Sequence, residues 1–227
     1  MYFTRISLDP SVNPQHLAQV LIRDVYREHQ ALWGLFDSDP DAKRDFLYRQ
    51  VIENGHVKYY VVSQRAPIDS SGIWSMVAPK HYDPKLREGE RLSFSLRANP
   101  VVTVTSPDGK KQRRDVVMHE KMQSDLAQKP PEGKPSEHYL IQTSCLRWLQ
   151  NRQSANGFEV LPGHVSIEGY RQHLSRSKRS QQPVRFSSVD FQGILTVTDP
   201  EIFRETLFEG IGKSKAFGCG LLLVRRY

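Results

Sequence analysis

The sequence predicts an α+β protein with two tandem ferredoxin-like domains, each with the βαββαβ (RRM-like) order of elements. Two observations lead to this fold class. The first hundred residues show the order strand, helix, hairpin, weakly patterned segment and strand, and after residue 136 the order helix, two strands, helix and strand repeats much of it. We expect an N-terminal domain over residues 1–105, a basic hairpin and linker over 106–135, and a C-terminal domain over 136–227.

The chain begins with a predicted strand and a predicted helix. Residues 2–8 alternate apolar and polar side chains, which is typical of a half-buried strand. A helix is expected to begin at Pro14 with Asn13 as its cap, because both residue types favour a helix start. Apolar residues at helical spacing predict that this helix continues to about Trp33.

A hairpin and a further strand complete the predicted N-terminal domain. Residues 46–52 and 57–62 flank the dipeptide Asn54-Gly55, which is the strongest short signal for a two-residue hairpin turn. Residues 91–100 alternate regularly and end at a proline, so they predict one more strand.

The second half is predicted to begin with a charged hairpin. Residues 101–105 and 115–118 bracket the basic run 110–114, which predicts a hairpin with a positively charged tip. Residues 129–135 are rich in proline and are expected to form an exposed loop. Ser136 is the predicted cap of a second long helix.

Two paired strands and a short helix are predicted next. The strands are residues 160–169 and 184–197, joined by a polar and basic segment over 171–182. Residues 200–208 predict a short helix that leads into a glycine-rich loop and a last strand. The phenylalanines of this region occur at strand or helix spacing and are expected to pack in the core: Phe186, Phe191, Phe203, Phe208 and Phe217.

The formal net charge of +7 is concentrated in two segments, which contain Lys110, Lys111, Arg113 and Arg114, and Arg171, Arg176, Lys178, Arg179 and Arg185. Basic blocks of this kind favour a polyanionic partner, with nucleic acid ahead of an anionic membrane, although solvated loops can have the same composition. The N-terminus lacks an apolar signal core, and no stretch approaches the roughly 18 apolar residues of a spanning helix. We therefore expect a cytoplasmic protein without a membrane partner.

The glycine-rich loop (residues 209–220) has a composition suited to anions. Its glycines are Gly210, Gly212, Gly218 and Gly220, and between them lie Lys213 and Lys215 without an acidic residue. Converging backbone N–H groups and two lysines predict a cradle for phosphate. The alternative is a purely structural loop, in which the glycines end one helix and begin a strand.

We expect neither a metal site nor a cofactor. The two cysteines lie far apart without CxxC or Cys/His spacing, so they indicate no zinc site. Asp37, Asp39 and Asp41 alternate as at the start of a calcium loop, but the glycine and the distal glutamate of that loop are missing. An exposed acidic turn is the better interpretation.

The sequence resembles the CasE family, the CRISPR-associated endoribonucleases of the type I-E Cascade complex. The matching stretches are residues 24–36 (DVYREHQALWGLF), 46–49 (FLYR), 97–100 (RANP), 113–115 (RRD) and 210–222 (GIGKSKAFGCGLL). They span almost the whole chain in one order, with little resemblance between residues 64 and 90. The resemblance implies two ferredoxin-like domains, metal-independent cleavage of precursor CRISPR RNA at the 3′ base of the repeat stem-loop, retention of the mature guide RNA, and association with other Cascade subunits.

The resemblance also places the catalytic histidine at His29. RNA can be cut without metal when its 2′-hydroxyl attacks the adjacent phosphorus, giving a 2′,3′-cyclic phosphate and a 5′-hydroxyl. Histidine suits the proton transfers because its unperturbed pKa of about 6.5 lies near neutral pH. Tyr26 lies three residues earlier on the same helical face and is the predicted partner of His29. Whether His29 acts as acid, base or both is left open.

Further residues are predicted to contact the RNA. Arg23 and Arg27 are four residues apart, so they are close neighbours on the helix surface, and they either contact the phosphate or only solvate the helix. The basic segment 171–185 is expected to bind the stem-loop, and Lys213 and Lys215 of the glycine-rich loop are expected to contact the phosphate backbone. The predicted RNA-binding residues are Arg23, Arg27, Arg113, Arg114, Arg171, Arg176, Lys178, Arg179, Gly210, Gly212, Lys213, Lys215, Gly218 and Gly220.

Two other classes of function fit parts of the sequence. A non-catalytic subunit that only holds RNA within the same complex would need the basic segments but not the Tyr26 and His29 pair. A small-molecule regulatory domain would fit the fold but not the clustered positive charge. An endoribonuclease is the hypothesis that accounts for both features.

Overall fold

The structure, a computed structural model, describes residues 1–12, 25–36, 43–126, 135–175 and 183–227. Several predicted features lie outside the described residues: the helix start at Asn13 and Pro14, the acidic turn of Asp37, Asp39 and Asp41, most of the loop 129–135, and the side chains of Arg23, Arg176, Lys178 and Arg179. The described part is an α+β protein with antiparallel sheets, which confirms the predicted class.

The described elements, in chain order, are β1 (Tyr2–Leu8), α1 (Val25–Trp33), β2 (Phe46–Glu53), β3 (His56–Ser63), β4 (Trp74–Met76), β5 (Lys80–His81), β6 (Arg91–Ala98), β7 (Val101–Thr105), β8 (Lys111–Asp115), α2 (Val116–Leu126), α3 (Glu137–Gln150), β9 (Phe158–Ser175), β10 (Val184–Val197), α4 (Pro200–Glu209) and β11 (Leu222–Arg226). Two short 3-10 helices, Ser154–Asn156 and Lys215–Phe217, complete the set. No described helix is both long and apolar enough to cross a membrane.

The first sheet has the strand order β2-β3-β1-β4, with β5 also paired to β1. Strands β2 and β3 form the predicted hairpin, and its turn residues Asn54 and Gly55 have φ angles of 52° and 78°. Both angles are positive, as the two-residue turn requires. One face of this sheet packs against α1 through buried side chains that include Ile6, Leu32 and Tyr59.

The second sheet has the strand order β11-β6-β10-β9. Its core-facing side packs against α3 and α4 through residues such as Leu96, Trp148 and Phe203. Helix α3 begins at the predicted cap, since Ser136 Oγ accepts a hydrogen bond of 3.2 Å from the backbone N–H of Tyr139. Helix α4 covers the predicted short helix.

Strand β6 belongs to the second sheet, and its predicted place in the N-terminal domain is wrong. It pairs with β10 from Val189↔Ala98 to Thr196↔Arg91 and with β11 on its other side. The alternation of buried and exposed residues along β6 sets which face meets a core, but it does not specify the sheet that supplies the partners. A domain boundary at residue 105 would therefore separate β6 from its own sheet, and the division into domains stays an interpretation.

A hairpin and a helix lie between β6 and α3. Strands β7 and β8 pair as predicted, but only Lys110 of the basic run lies in the tip, residues 106–110, whereas Lys111, Arg113 and Arg114 lie along β8. The strand predicted over 115–118 is also wrong, because α2 begins at Val116. The Oδ1 atom of Asp115 accepts a hydrogen bond of 2.9 Å from the N–H of Met118 and so caps this helix.

The open faces of the two sheets meet each other. A small apolar cluster of Leu47, Val62 and Leu221 lies between them. Beside it, the Asp190 carboxylate accepts hydrogen bonds of 2.9 and 2.8 Å from Arg97 and lies 3.4 Å from the buried Arg49 guanidinium. This ion network joins β2 of the first sheet to β6 and β10 of the second.

Candidate active site beside the glycine-rich loop

The glycine-rich loop turns back on itself after α4. The N–H of Ile211 donates a hydrogen bond of 2.9 Å to the carbonyl of Gly220. A Cβ added to Gly210 would lie 2.7 Å from the same carbonyl oxygen, and one added to Gly220 would lie 2.9 Å from the carbonyl oxygen of Ile211. With φ angles of 75° and 95°, these positions need glycine for both conformation and space.

The other two glycines allow the loop to lie against large side chains. A Cβ on Gly212 would be 3.1 Å from the Trp148 ring, and one on Gly218 would be 3.2 Å from the Tyr48 ring. Close packing therefore accounts for all four glycines, as the structural alternative proposed from the sequence requires. Phosphate binding by the loop stays a prediction.

Both sheets anchor the glycine-rich loop. From the second sheet, Asn99 Nδ2 donates a hydrogen bond of 2.7 Å to Ser214 Oγ, and the N–H of Gly220 donates one of 2.7 Å to the carbonyl of Arg97. From the first sheet, the Tyr48 hydroxyl donates one of 3.2 Å to the carbonyl of Ala216. The loop is thus held at the junction of the two sheets.

His29 lies on α1 next to this loop. Its ring is half-buried and contacts three aromatic rings, with centroid separations of 5.4 Å to Trp33, 6.1 Å to Phe217 and 6.3 Å to Phe46. The Nδ1 atom is buried and has no hydrogen-bond partner among the described residues. Tyr26 lies one turn earlier on α1 and is also half-buried, whereas Arg27 is exposed.

The pKa of His29 is lowered to about 4, first by burial and then by the positive charge of Arg44. Both effects disfavour the imidazolium form. His29 is therefore neutral at neutral pH, the form that a general base needs, and the same lowered pKa makes the imidazole a weaker base than an exposed histidine.

Arg44 was not recognised from the sequence. It is partly buried, its Nη1 atom has no hydrogen-bond partner among the described residues, and burial lowers its pKa. Its charge also contributes to the lowered pKa of Lys215, after burial. A guanidinium whose charge reaches both His29 and Lys215 makes the site electropositive. A single arginine in a connecting segment has no spacing signal, so sequence patterns could not identify it.

Glu28 holds α1 against the first sheet. Its carboxylate accepts a hydrogen bond of 2.7 Å from Gln50 Nε2 and lies 3.4 Å from the Tyr48 hydroxyl, whose single proton points to Ala216 at the shorter distance. Burial raises the pKa of Glu28. Because Tyr48 also contacts Ala216, one side chain connects the helix of His29 with the glycine-rich loop.

The two lysines of the glycine-rich loop differ in their surroundings. Lys215 Nζ donates a hydrogen bond of 2.6 Å to the carbonyl of Glu209 and so satisfies the C-terminal end of α4. The side chain of Lys213 is exposed, while its backbone forms an isolated antiparallel β-bridge with that of Asn99. Of the two, Lys213 has its ammonium group available at the surface.

Two clefts adjoin the loop. The smaller, of about 460 Å³, lies between α1, β9 and the loop, and Arg171, His173 and Phe217 are among its lining residues. The larger, of about 900 Å³, has Arg113 and Lys213 among its lining residues. Arg114 is placed differently, since its Nη1 atom lies 3.6 Å from the sulfur of Met122 on α2.

The predicted core role is wrong for two of the phenylalanines. Phe191 and Phe203 are fully buried, but Phe186 and Phe217 are half-buried and line the larger cleft. Their rings stack at a centroid separation of 5.3 Å, and His173 stacks on the other side of Phe186 at 4.5 Å. Spacing within one element predicts that a side chain is apolar, but it does not show whether another element covers the ring. The partial exposure of Phe186 on β10 and of Phe217 on the loop was therefore not predictable.

Among the residues that the structure describes, no three His, Cys, Asp or Glu side chains are grouped closely enough to hold a metal ion. Both cysteines are buried and unpaired, and burial raises each pKa to about 12.

Comparison with known proteins identifies relatives over the whole chain. Residues 1–226 match the family model described as CRISPR associated protein. The chain is 30% identical over 207 residues to the CRISPR system Cascade subunit CasE of Escherichia coli, covering 91% of this chain and 94% of that protein. It is 30% identical over 161 residues to the CRISPR-associated endoribonuclease Cse3 of Thermus thermophilus, covering 67% of this chain and 64% of that protein.

A solved structure extends this similarity to the fold. Thermus thermophilus Cse3, bound to an RNA that represents a pre-cleavage complex, superposes with a TM-score of 0.71 at 25% identity. The match covers 99% of this chain and 98% of that one. The resemblance stated from the sequence is therefore confirmed.

Proposed function

Because the chain belongs to the CasE/Cse3/Cas6e family of CRISPR-associated proteins, the type I-E Cascade subunits, we propose that it is a metal-independent endoribonuclease. It cleaves precursor CRISPR RNA at the 3′ base of the repeat stem-loop and retains the mature guide RNA within Cascade. The observation that carries the proposal is the neutral His29 beside Arg44 at the junction of the two sheets.

We assign a ferredoxin-like topology to each half. In both sheets the strand order, counted within the half, is 4-1-3-2 with antiparallel neighbours: β4-β1-β3-β2 in the first and β11-β6-β10-β9 in the second. The second unit then begins at β6, and β7, β8 and α2 are an insertion before its first helix. The first unit has a connection without a described helix between β3 and β4.

The chemistry assigned to the site is transesterification. His29 removes the proton of the 2′-hydroxyl, whose oxygen then attacks the adjacent phosphorus, and the bond to the 5′-oxygen breaks. That oxygen takes up a proton from the protonated His29 or from water, so the products are a 2′,3′-cyclic phosphate and a 5′-hydroxyl. Arg44 stabilises the negative charge on the phosphate oxygens, and Tyr26 orients the 2′-hydroxyl or the phosphate.

The RNA is expected to lie across the basic side chains near the loop. Arg171, Arg113 and Lys213 line the two clefts beside it. Arg176, Lys178 and Arg179, which come between β9 and β10 in the sequence and lie outside the described residues, are proposed to contact the same stem-loop. The solved Cse3 complex with RNA supports a nucleic acid partner, and the similarity to the Cascade subunit CasE supports association with other subunits. A cytoplasmic location stays a proposal.

The alternative is a non-catalytic subunit that holds RNA in the same complex. The similarity to a Cascade subunit supports it as well as it supports the nuclease. The nuclease is favoured because a subunit that only holds RNA has no need of a half-buried, neutral imidazole next to an incompletely paired arginine.

A cleavage assay separates the two functions. Purified protein is incubated with a labelled stem-loop RNA from the host's CRISPR repeat in excess EDTA. We expect one cut by the wild type and by His138→Ala, a matched change of an exposed histidine on α3, and none by His29→Ala. Equal binding by all three proteins is expected from a filter or gel-shift assay.

Each contrary result has a definite meaning. Tight binding without a cut by the wild type would favour the RNA-holding subunit. A cut that survives His29→Ala would exclude His29 as the catalytic residue.

A further inference from the structure

The larger cleft has features of a nucleotide pocket and does not contain His29. Its volume is about 900 Å³, and it lies between the glycine-rich loop, the β9–β10 pair and the start of α2. Ligand pockets of this size combine apolar walls with a few convergent polar groups, and this cleft has both.

The walls of the cleft are apolar and aromatic. The rings of His173, Phe186 and Phe217 form a stacked column along one side, with centroid separations of 4.5 and 5.3 Å. Met118 and Leu174 also line the cleft, although they are 46% and 59% exposed. Exposed apolar side chains beside a ring column are suited to the flat face of a base.

The rim of the cleft is positively charged. Arg113 and Arg185 are exposed on β8 and β10, and Lys213 is exposed on the glycine-rich loop. Three cations around an apolar pocket match the phosphates on either side of one nucleotide. This charge complementarity favours a nucleic acid over an uncharged ligand.

Two buried acceptor atoms of cleft residues lack a hydrogen-bond partner within the described part of the chain. Asn99 is only 5% exposed, and its Oδ1 atom has no hydrogen-bond partner among the described residues. The Asp115 Oδ2 atom also has no hydrogen-bond partner among the described residues. Its Oδ1 atom accepts hydrogen bonds of 2.9 Å from the N–H of Met118 and 3.0 Å from the Tyr170 hydroxyl. Buried acceptors without donors are unfavourable, so a ligand that brings N–H groups would stabilise them.

We propose that this cleft binds one unpaired nucleotide of the RNA and selects a base with an exocyclic amino group. Cytosine, adenine and guanine have such a group, and carboxylate and amide oxygens accept from it. Uracil has carbonyl oxygens at the corresponding edges and is disfavoured. The inference rests on the proposed RNA substrate but not on cleavage.

Binding measurements test the pocket. Each unpaired nucleotide that flanks the stem of the CRISPR repeat RNA is replaced in turn by an abasic residue, and the dissociation constant is measured with His29→Ala protein, so that the RNA stays intact. We expect one position at which the abasic RNA binds about tenfold more weakly. At that position uracil should bind as weakly as the abasic residue.

Three variants check the assignment to this cleft. Asp115→Asn keeps an oxygen for the Met118 N–H but adds a donor, so discrimination against uracil should fall below about threefold. Asp108→Asn removes a carboxylate from the tip of the same hairpin, outside the cleft, and should leave discrimination unchanged. Met118→Glu places a charge at the half-exposed wall, and should weaken binding of the intact RNA to the level of the abasic RNA.

The outcomes separate this inference from the proposed nuclease. Equal affinity at every abasic position, with cleavage by the wild type intact, would overturn the pocket alone. An affinity that depends on the abasic position, together with an RNA that the wild type does not cut, would support the pocket and contradict the nuclease. No binding of the RNA at all would overturn both.

Discussion

Phe217 of the glycine-rich loop contacts His29 on α1, with ring centroids 6.1 Å apart and ring planes at 69°. The loop that resembles a phosphate cradle is thus also a support for the helix of the candidate catalytic residue. Its four glycines are explained by close packing of the loop against the rings of Tyr48 and Trp148 and against its own backbone. The first predictions concern this support.

Gly210→Ala should destabilise the protein and abolish cleavage. The new Cβ would lie 2.7 Å from the Gly220 carbonyl oxygen and 2.8 Å from Leu47 Cδ1, at a φ of 75° that alanine disfavours. We expect the free energy of unfolding in urea to fall by about 2 kcal/mol or more. Gly163→Ala is the matched control, because nothing lies within 4 Å of its added Cβ. Equal stability of the two variants would contradict the packing role of Gly210.

The lowered pKa of His29 predicts a pH dependence of stability. Between pH 6.5 and about 4, the unfolded chain binds more protons at this position than the folded chain does. The contribution of neutral His29 is therefore complete above pH 6.5 and is lost as the pH falls toward 4. His29→Gln should lose less stability than the wild type between pH 7 and 4.5, as measured by urea unfolding. His138→Gln, at an exposed position, should follow the wild type, and parallel curves for all three proteins would count against the buried imidazole.

Arg44→Gln should slow cleavage far more than it weakens binding. Removal of one charge that stabilises the phosphate oxygens is expected to lower the single-turnover rate constant by about 100-fold. The pKa of His29 should rise from about 4, because Arg44 lowers it, although burial keeps it below 6.5. An NMR titration of the histidine rings measures this change.

Lys43→Gln is the control for Arg44→Gln, because Lys43 is the exposed neighbouring residue and loses the same charge. A rate loss of similar size in both variants would mean that Arg44 acts only through the overall charge of the surface.

Asp190→Asn should weaken the junction between the two sheets. The buried Arg49, which is 5% exposed, would lose its carboxylate partner, and Arg97 would lose two hydrogen bonds. Loss of one partner of a buried ion pair typically costs about 3 kcal/mol. Asp83→Asn, which affects ion pairs of the exposed Lys85 and Arg204, should cost less than about 1 kcal/mol. Urea unfolding of both variants decides between these values.

Local signals in the sequence identified many elements of the fold. The Asn54-Gly55 turn, the Ser136 cap and the alternation of β6 each depend on neighbouring residues, and the structure has all three. The sheet to which β6 belongs depends on distant strands, so the alternation could not reveal it. Helix α2 was missed because Val116 and Val117 favour a strand, whereas the Asp115 cap begins a helix there.

The candidate site was predictable only in part. His29 and Tyr26 were found through a family resemblance and helical spacing, and their catalytic roles stay proposals. Arg44, Glu28 and Tyr48 come from separate elements and meet only in the folded chain. Phe186 and Phe217 were assigned to the core because spacing along one element does not show whether another element covers the ring.

The position of the glycine-rich loop has a consequence for biosynthesis. His29 and Arg44 come early in the chain, whereas Phe217 and strand β11, which closes the second sheet, come late. The first sheet has all its strands before residue 82 and can form while the ribosome is still translating the rest. The candidate site is complete only after the loop has emerged from the ribosome, so the proposed nuclease would be inactive while the chain is still incomplete.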